Sequence, residues 1–140
     1  MVPVQTILVI DDDEDIRGDL QMLLEDQGYR VLTAPDGQTG LTRALADRPN
    51  IIICDMMMPK MSGFVVLERL KQNAQICMPF IMLTANESDH QKALAEFLGV
   101  DAYLNKPIRA KHLIEQVRQL CPLPASSPLR VTEVLATTVV

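Results

Sequence analysis

The chain predicts an α/β fold, a parallel sheet with helices on both faces, and three observations carry that prediction. Short β-branched runs alternate with amphipathic stretches along most of the 140 residues. One of the runs, Ile51–Cys54, is apolar throughout, as expected of a strand covered on both sides. Gly28, Pro35, Pro59 and Gly99 punctuate the alternation at the places where one periodicity gives way to the other.

Taken in order, Ile7–Ile10 reads as the first strand. Ile16, Leu20, Leu23, Leu24 and Gln27 then follow helical spacing, with the apolar members on one stripe, and Gly28 stops the helix. Tyr29–Ala34 is the second strand, Pro35-Asp36-Gly37 a turn, and Leu41, Ala44 and Leu45 a modest helical face. Ile51–Cys54 is the third strand. A loop over Met56–Ser62 leads into a helix marked by Phe64, Leu67 and Leu70. Phe80–Leu83 is the fourth strand, followed by a helix through Leu94, Phe97 and Leu98 that Gly99 closes. Ala102–Leu104 is a short fifth strand, and Leu113, Ile114, Val117 and Leu120 complete the last helix. Five strand–helix units in strict alternation require helices on both faces. Right-handed crossovers and the five-strand length favour a flavodoxin-like (βα)5 doubly wound sheet of order 2-1-3-4-5. Functional groups in that architecture gather past the carboxyl ends of the strands, where the order reverses between strands 1 and 3.

Composition narrows the function. The formal charge is −5 and no basic face is apparent, which argues against direct contact with nucleic acid. No apolar run approaches the ~18 residues of a membrane span, and the start lacks the basic region of a signal peptide. Cys54, Cys77 and Cys121 are scattered and odd in number, so reduced thiols in a cytoplasm are expected. After Cys121 the composition turns Pro- and Ser-rich. The expectation is one domain over residues 1–121 and a linker with a short tail over 122–140, with no DNA-binding or enzymatic output domain.

The chemistry sits at the predicted strand ends. Strand 1 runs into Asp11-Asp12-Asp13-Glu14-Asp15, a knot of like charge in which two carboxylates ~4 Å apart repel by roughly 4 kcal/mol even at a surface-like dielectric. Strand 3 ends in Asp55, strand 4 in Thr84 and strand 5 in Asn105-Lys106-Pro107. Three carboxylates, a hydroxyl and an ammonium thus converge on one rim. Hard oxygen ligands at that density suit Mg²⁺. Asp55 reads as a nucleophile, Lys106 as a fixed charge for phosphoryl oxygens and Thr84 as a hydrogen-bond donor to the same group. Asp13, Glu14 and Asp15 are better read as the acidic start of a helix. Met56, Met57 and Met58 read as packing or exposed loop, because soft sulfur does not suit this company. His90 and His112 read as surface residues.

The ordered set ILVIDDDED, IIICDMMMPKMSG, IMLTA and YLNKP resembles the signatures of a two-component response-regulator receiver domain, over about residues 5–120. The resemblance implies that Asp55 accepts a phosphoryl group from a sensor histidine kinase or phosphotransfer protein. It implies Mg²⁺ bound by Asp12 directly, by Asp11 through water, by Asp55 and by the backbone carbonyl of Met57. Lys106 would contact a phosphoryl oxygen and join Pro107 through a cis peptide. Thr84 and Tyr103 match the family's switch pair, with Ala85 leaving room for the phosphoryl group. The face made by helix 4, strand 5 and helix 5 would then change its preference for a downstream target protein or for a second copy of the chain. Asp101 and Arg118 fit the charge pattern of receivers that dimerise there, while Ala102, His112 and Gln116 do not. So read, the chain is a phosphoacceptor that assists its own transfer and dephosphorylation rather than an enzyme.

The strongest rival is an aspartyl-phosphate hydrolase of the haloacid-dehalogenase type, using Asp11 and Asp13. It leaves Asp55 without a role and needs a later acidic pair, yet after Lys106 only Glu115 and Glu133 remain. A flavodoxin-type nucleotide-binding domain would need a Gly-rich loop that strand 1 lacks. A receiver that docks without being phosphorylated is the third alternative.

Overall fold

The structure, a computed structural model, describes residues 4–85 and 88–123. Among them the elements run β1 (Thr6–Ile10), α1 (Glu14–Asp26), β2 (Arg30–Ala34), α2 (Gly37–Asp47), β3 (Ile51–Asp55), α3 (Gly63–Lys71), β4 (Phe80–Thr84), α4 (Asp89–Phe97), β5 (Ala102–Asn105) and α5 (Ala110–Leu120). The strands form one sheet of order β2-β1-β3-β4-β5, parallel throughout. The predicted topology is the observed one.

Alternation along each strand divides the core in two, because successive side chains point to opposite faces. Leu8, Ile10, Ile52, Cys54, Phe80 and Met82 face one way and pack with Leu41 and Ala44 of α2 and Val66, Leu67 and Leu70 of α3. Ile7, Val9, Ile51, Ile53, Ile81 and Leu83 face the other way, against Leu20 and Leu24 of α1 and Leu113 and Val117 of α5. Both faces being covered, every residue of β3 and β4 is buried, which explains their unbroken apolar runs.

Short polar side chains start α1, α2 and α3. Asp13 accepts from the N–H groups of Asp15 (2.9 Å) and Ile16 (3.2 Å), Asp36 from Thr39 (2.7 Å) and Ser62 from Val65 (3.4 Å). The helix stops predicted at Gly28 and Gly99 have the positive φ (99° and 92°) that favours glycine.

Several details differ from the sequence reading. Gly37 belongs to α2, because Asp36 caps that helix. The buried side of α2 is Gly37, Gly40, Leu41 and Ala44, and Leu45 is exposed. Gly40 is there because a Cβ would stand 2.5 Å from Cδ1 of Ile10. Leu94 and Phe97 also lie on the surface, and only Ala95 of α4 is buried. Tyr29 precedes β2, buried, with its hydroxyl donating to the Cys121 carbonyl at 2.9 Å. Cys54 and Cys121 are buried, Cys77 is exposed, and all three are free thiols. No helix among the described residues is long and apolar enough to cross a membrane. The predicted tail from residue 124 onward lies outside the described residues.

Candidate functional site

β1 and β3 are neighbours with Ile10 opposite Cys54, so the residues that follow, Asp11 and Asp55, emerge side by side at the carboxyl end of the sheet. Asp11 and Asp55 are buried and Asp12 is exposed on the rim. One carboxylate oxygen from each of the three lies within 4.8 Å of the others. Lys106 reaches in from beyond β5. Its Nζ stands 3.2 Å from Asp11 Oδ2 and 3.2 Å from Asp55 Oδ1. Its backbone N–H donates to the carbonyl of Thr84 at 2.7 Å, tying the lysine to the end of β4, and its bond to Pro107 is cis. Thr84 is the buried last residue of β4. The strand ends therefore bring together Asp11, Asp12, Asp55, Thr84 and Lys106, the residues singled out in the sequence.

Electrostatics make this a strained set. Burial, and next the charge on Asp11, push the Asp55 carboxyl up to about 6, against the pull of the Lys106 ammonium. Burial acts to lower the Lys106 pKa, but the Asp11 and Asp55 carboxylates outweigh it and the ammonium is held charged. Three carboxylates against one ammonium leave two net negative charges. The donors are all hard oxygens, so the set fits a small divalent cation and not a soft metal. Cys54 next to Asp55 is no rival nucleophile. Burial first, then the Asp55 and Asp11 charges, hold its thiol well above the usual range, and its Sγ lies 3.3 Å from the Asp55 carbonyl.

Other candidates fall around this centre. The Met57 side chain is exposed, whereas Met56 and Met58 pack into the core. Tyr103 is half-buried against the cluster that includes Phe80 and Met82. Asp13 is exposed and its carboxylate is engaged in capping α1, which removes the second acid that the hydrolase reading required. Asp101 and Arg118 are exposed, and each also bonds within the chain. Asp101 accepts from the Phe80 N–H at 2.8 Å, and Arg118 donates to Gln27. His90 and His112 are exposed.

Two contributors escaped the sequence reading. Gly63 packs its backbone on the nucleophile's strand. Its N–H donates to the Met56 carbonyl at 2.9 Å, and a Cβ there would run into the Asp55 carbonyl oxygen. Its place eight residues after Asp55, following a capping Ser, was the available signal. Arg17 donates from Nη1 to the Asp11 carbonyl at 2.8 Å, and nothing in its helical context marked it.

Comparison with known proteins agrees with this geometry. Residues 7–118 match the family model described as the response regulator receiver domain. The chain is 39% identical over 114 residues to the alkaline phosphatase synthesis transcriptional regulatory protein PhoP of Bacillus subtilis, covering 81% of this chain and 47% of that protein. It is equally identical, 39% over 114 residues, to the transcriptional regulatory protein CpxR of Klebsiella pneumoniae, covering 81% and 48%. The chain thus spans about half the length of the curated relatives it matches. Among solved structures, the chemotaxis protein CheY4 of Vibrio cholerae superposes with a TM-score of 0.80 at 31% identity, over 84% of this chain and 99% of that one. A receiver domain from Clostridium thermocellum gives 0.78 at 34% identity, over 84% and 94%. With the acid cluster past the carboxyl ends of a β2-β1-β3-β4-β5 sheet and a family match over most of its length, the chain belongs to the response regulator receiver domains of two-component systems.

Proposed function

We propose that the chain accepts a phosphoryl group on Asp55 from the phosphohistidine of a sensor kinase or phosphotransfer protein, with Mg²⁺ held by Asp11, Asp12, Asp55 and the Met57 carbonyl. The observation that supports this most is the convergence of three carboxylates with the Lys106 ammonium 3.2 Å from both Asp11 and Asp55. In the transfer, an Asp55 oxygen forms a bond to phosphorus while the donor's P–N bond breaks and its electron pair leaves with the imidazole. The product is an acyl phosphate, and hydrolysis returns the carboxylate and inorganic phosphate. Such transfer asks the protein for alignment and charge neutralisation. The bound cation supplies neutralisation at the phosphoryl oxygens. Lys106 adds a second positive charge, and Thr84 offers its hydroxyl.

The acyl phosphate then biases two states of the chain in proportion to its differential interaction with each. Thr84 and Tyr103 lie at one strand end and on the neighbouring strand, suited to relay the change to α4, β5 and α5. The exposed Leu94 and Phe97 on α4 support that region as a contact surface for a downstream protein. For a dimer on that face, the charge pattern of Asp101 and Arg118 speaks in favour and Ala102, His112 and Gln116 speak against. On this reading the chain is a signalling phosphoacceptor working in the cytoplasm with protein partners, rather than an enzyme in its own right. The test is labelling by acetyl phosphate with Mg²⁺. Transfer to wild type and none to Asp55→Asn is expected. Equal labelling of both would move the nucleophile elsewhere, and labelling of neither would leave a domain that only docks.

A further inference from the structure

Arg17 lies outside the motifs that point to the site. Its backbone N–H donates to the Asp13 carbonyl at 3.0 Å in the first turn of α1, while its half-buried side chain turns back to the end of β1. There Nη1 donates to the Asp11 carbonyl at 2.8 Å. Asp11 is consequently held at each of its polar groups. Its N–H donates to Ala34 at 3.1 Å, Oδ1 accepts from the Asp13 N–H at 2.9 Å, and Oδ2 faces Lys106 at 3.2 Å. None of the ion pairs among the described residues uses the Arg17 guanidinium.

The carbonyl of Asp11 belongs to the rigid planar peptide unit that ends at the Cα of Asp12. A bond to that oxygen therefore sets the plane's rotation, and with it the direction in which Asp12 leaves the strand. We propose that Arg17 is a positioning residue for cation binding. It fixes the Asp11–Asp12 peptide so that the buried and the rim carboxylate face one divalent ion together. The proposal rests on the cation reading above.

Charge and position make opposite claims here, which makes the proposal testable by sign. As a charge alone, a guanidinium near the acids repels Mg²⁺, so its removal tightens binding. As a clamp, its removal loosens the acid pair and weakens binding. The experiment is calorimetric titration of the full chain with Mg²⁺ alone, comparing wild type, Arg17→Gln and Arg17→Lys, with melts in Mg²⁺-free buffer confirming that each is folded. Arg17→Gln is expected to weaken Mg²⁺ binding about tenfold. Arg17→Lys, which keeps the charge on a different donor geometry, is expected to weaken it by a smaller factor. The Mg²⁺ concentration giving half-maximal labelling by acetyl phosphate should rise by the same factors, with the plateau rate kept within about twofold. Unchanged or tighter Mg²⁺ binding in Arg17→Gln overturns the proposal, as does a fall in plateau rate at unchanged half-saturation. A wild type that binds no Mg²⁺ removes the cation reading itself and this inference with it, whereas normal wild-type binding with indifferent variants removes this inference alone.

Discussion

Replacing Asp55 by Asn in Mg²⁺-free buffer should make the chain more stable, although it removes an ion-pair partner of Lys106. Burial and Asp11 raise the Asp55 carboxyl from 3.8 to about 6, so its ionised form is disfavoured in the folded state. At 1.36 kcal/mol per unit, this corresponds to an upper figure of about 3 kcal/mol at neutral pH. Asp12 keeps the rim open to solvent, and screening there brings the expected gain to about 1–2 kcal/mol, or about 5 °C in Tm. The sign follows from proton binding. Between the unfolded pKa near 3.8 and the folded value near 6 the folded chain binds more protons, so wild-type stability falls as pH rises through that window. Asn cannot titrate. The gap between variant and wild type should therefore be small near pH 4, open up to pH 6 and stay constant above it. Thermal melts by circular dichroism in EDTA across that range measure it. A variant that melts below wild type at pH 7.5, or a gap that does not change with pH, would refute the electrostatic account of the pocket.

Further outcomes follow from the same geometry. Mg²⁺ at ten times its Kd should stabilise the wild type by about 1.4 kcal/mol and so raise its Tm, and should raise that of Asp55→Asn less, while equal melts across a titration would count against a cation site. Asp13→Ala should cost about 1 kcal/mol through the lost α1 cap but leave Mg²⁺ affinity unchanged, and a loss of both would restore Asp13 to the chemistry. Gly63→Ala should destabilise by about 2 kcal/mol, because the new methyl meets the Asp55 carbonyl and comes within 3.0 Å of Met56 Cα, and denaturant unfolding with no change in midpoint would contradict that packing.

Much of the fold was legible because it depends on periodicity. The unbroken runs of β3 and β4 and the stripe Leu20, Leu24 on α1 are direct consequences of which surfaces are covered. The acid cluster was legible because a parallel sheet sends all its carboxyl ends to one rim, so residues 11, 55, 84 and 106 had to approach one another once the strand order was right. What escaped were contacts set by shape. Leu94 and Phe97 have helical apolar spacing, yet they are exposed, and α4 buries only Ala95, so spacing alone could not separate a core stripe from a surface one. Gly40 and Gly63 look like helix-weakening residues until Ile10 and the Asp55 carbonyl are seen against them. Arg17 and Asp101 bond to backbone groups, which carry no sequence identity to pair with. Asp101 and Arg118, singled out for their charge pattern, also bond within the chain, to the Phe80 N–H and to Gln27.

The most direct test of the account is intact-mass spectrometry of the full chain after incubation with acetyl phosphate and Mg²⁺, followed by peptide mapping. The geometry predicts a gain of one phosphoryl group, placed on Asp55, dependent on Mg²⁺ and absent in Asp55→Asn. A phosphoryl group mapped to Asp11, Asp12 or Asp13, or no gain under any Mg²⁺ concentration, would contradict the assignment of Asp55 as the acceptor.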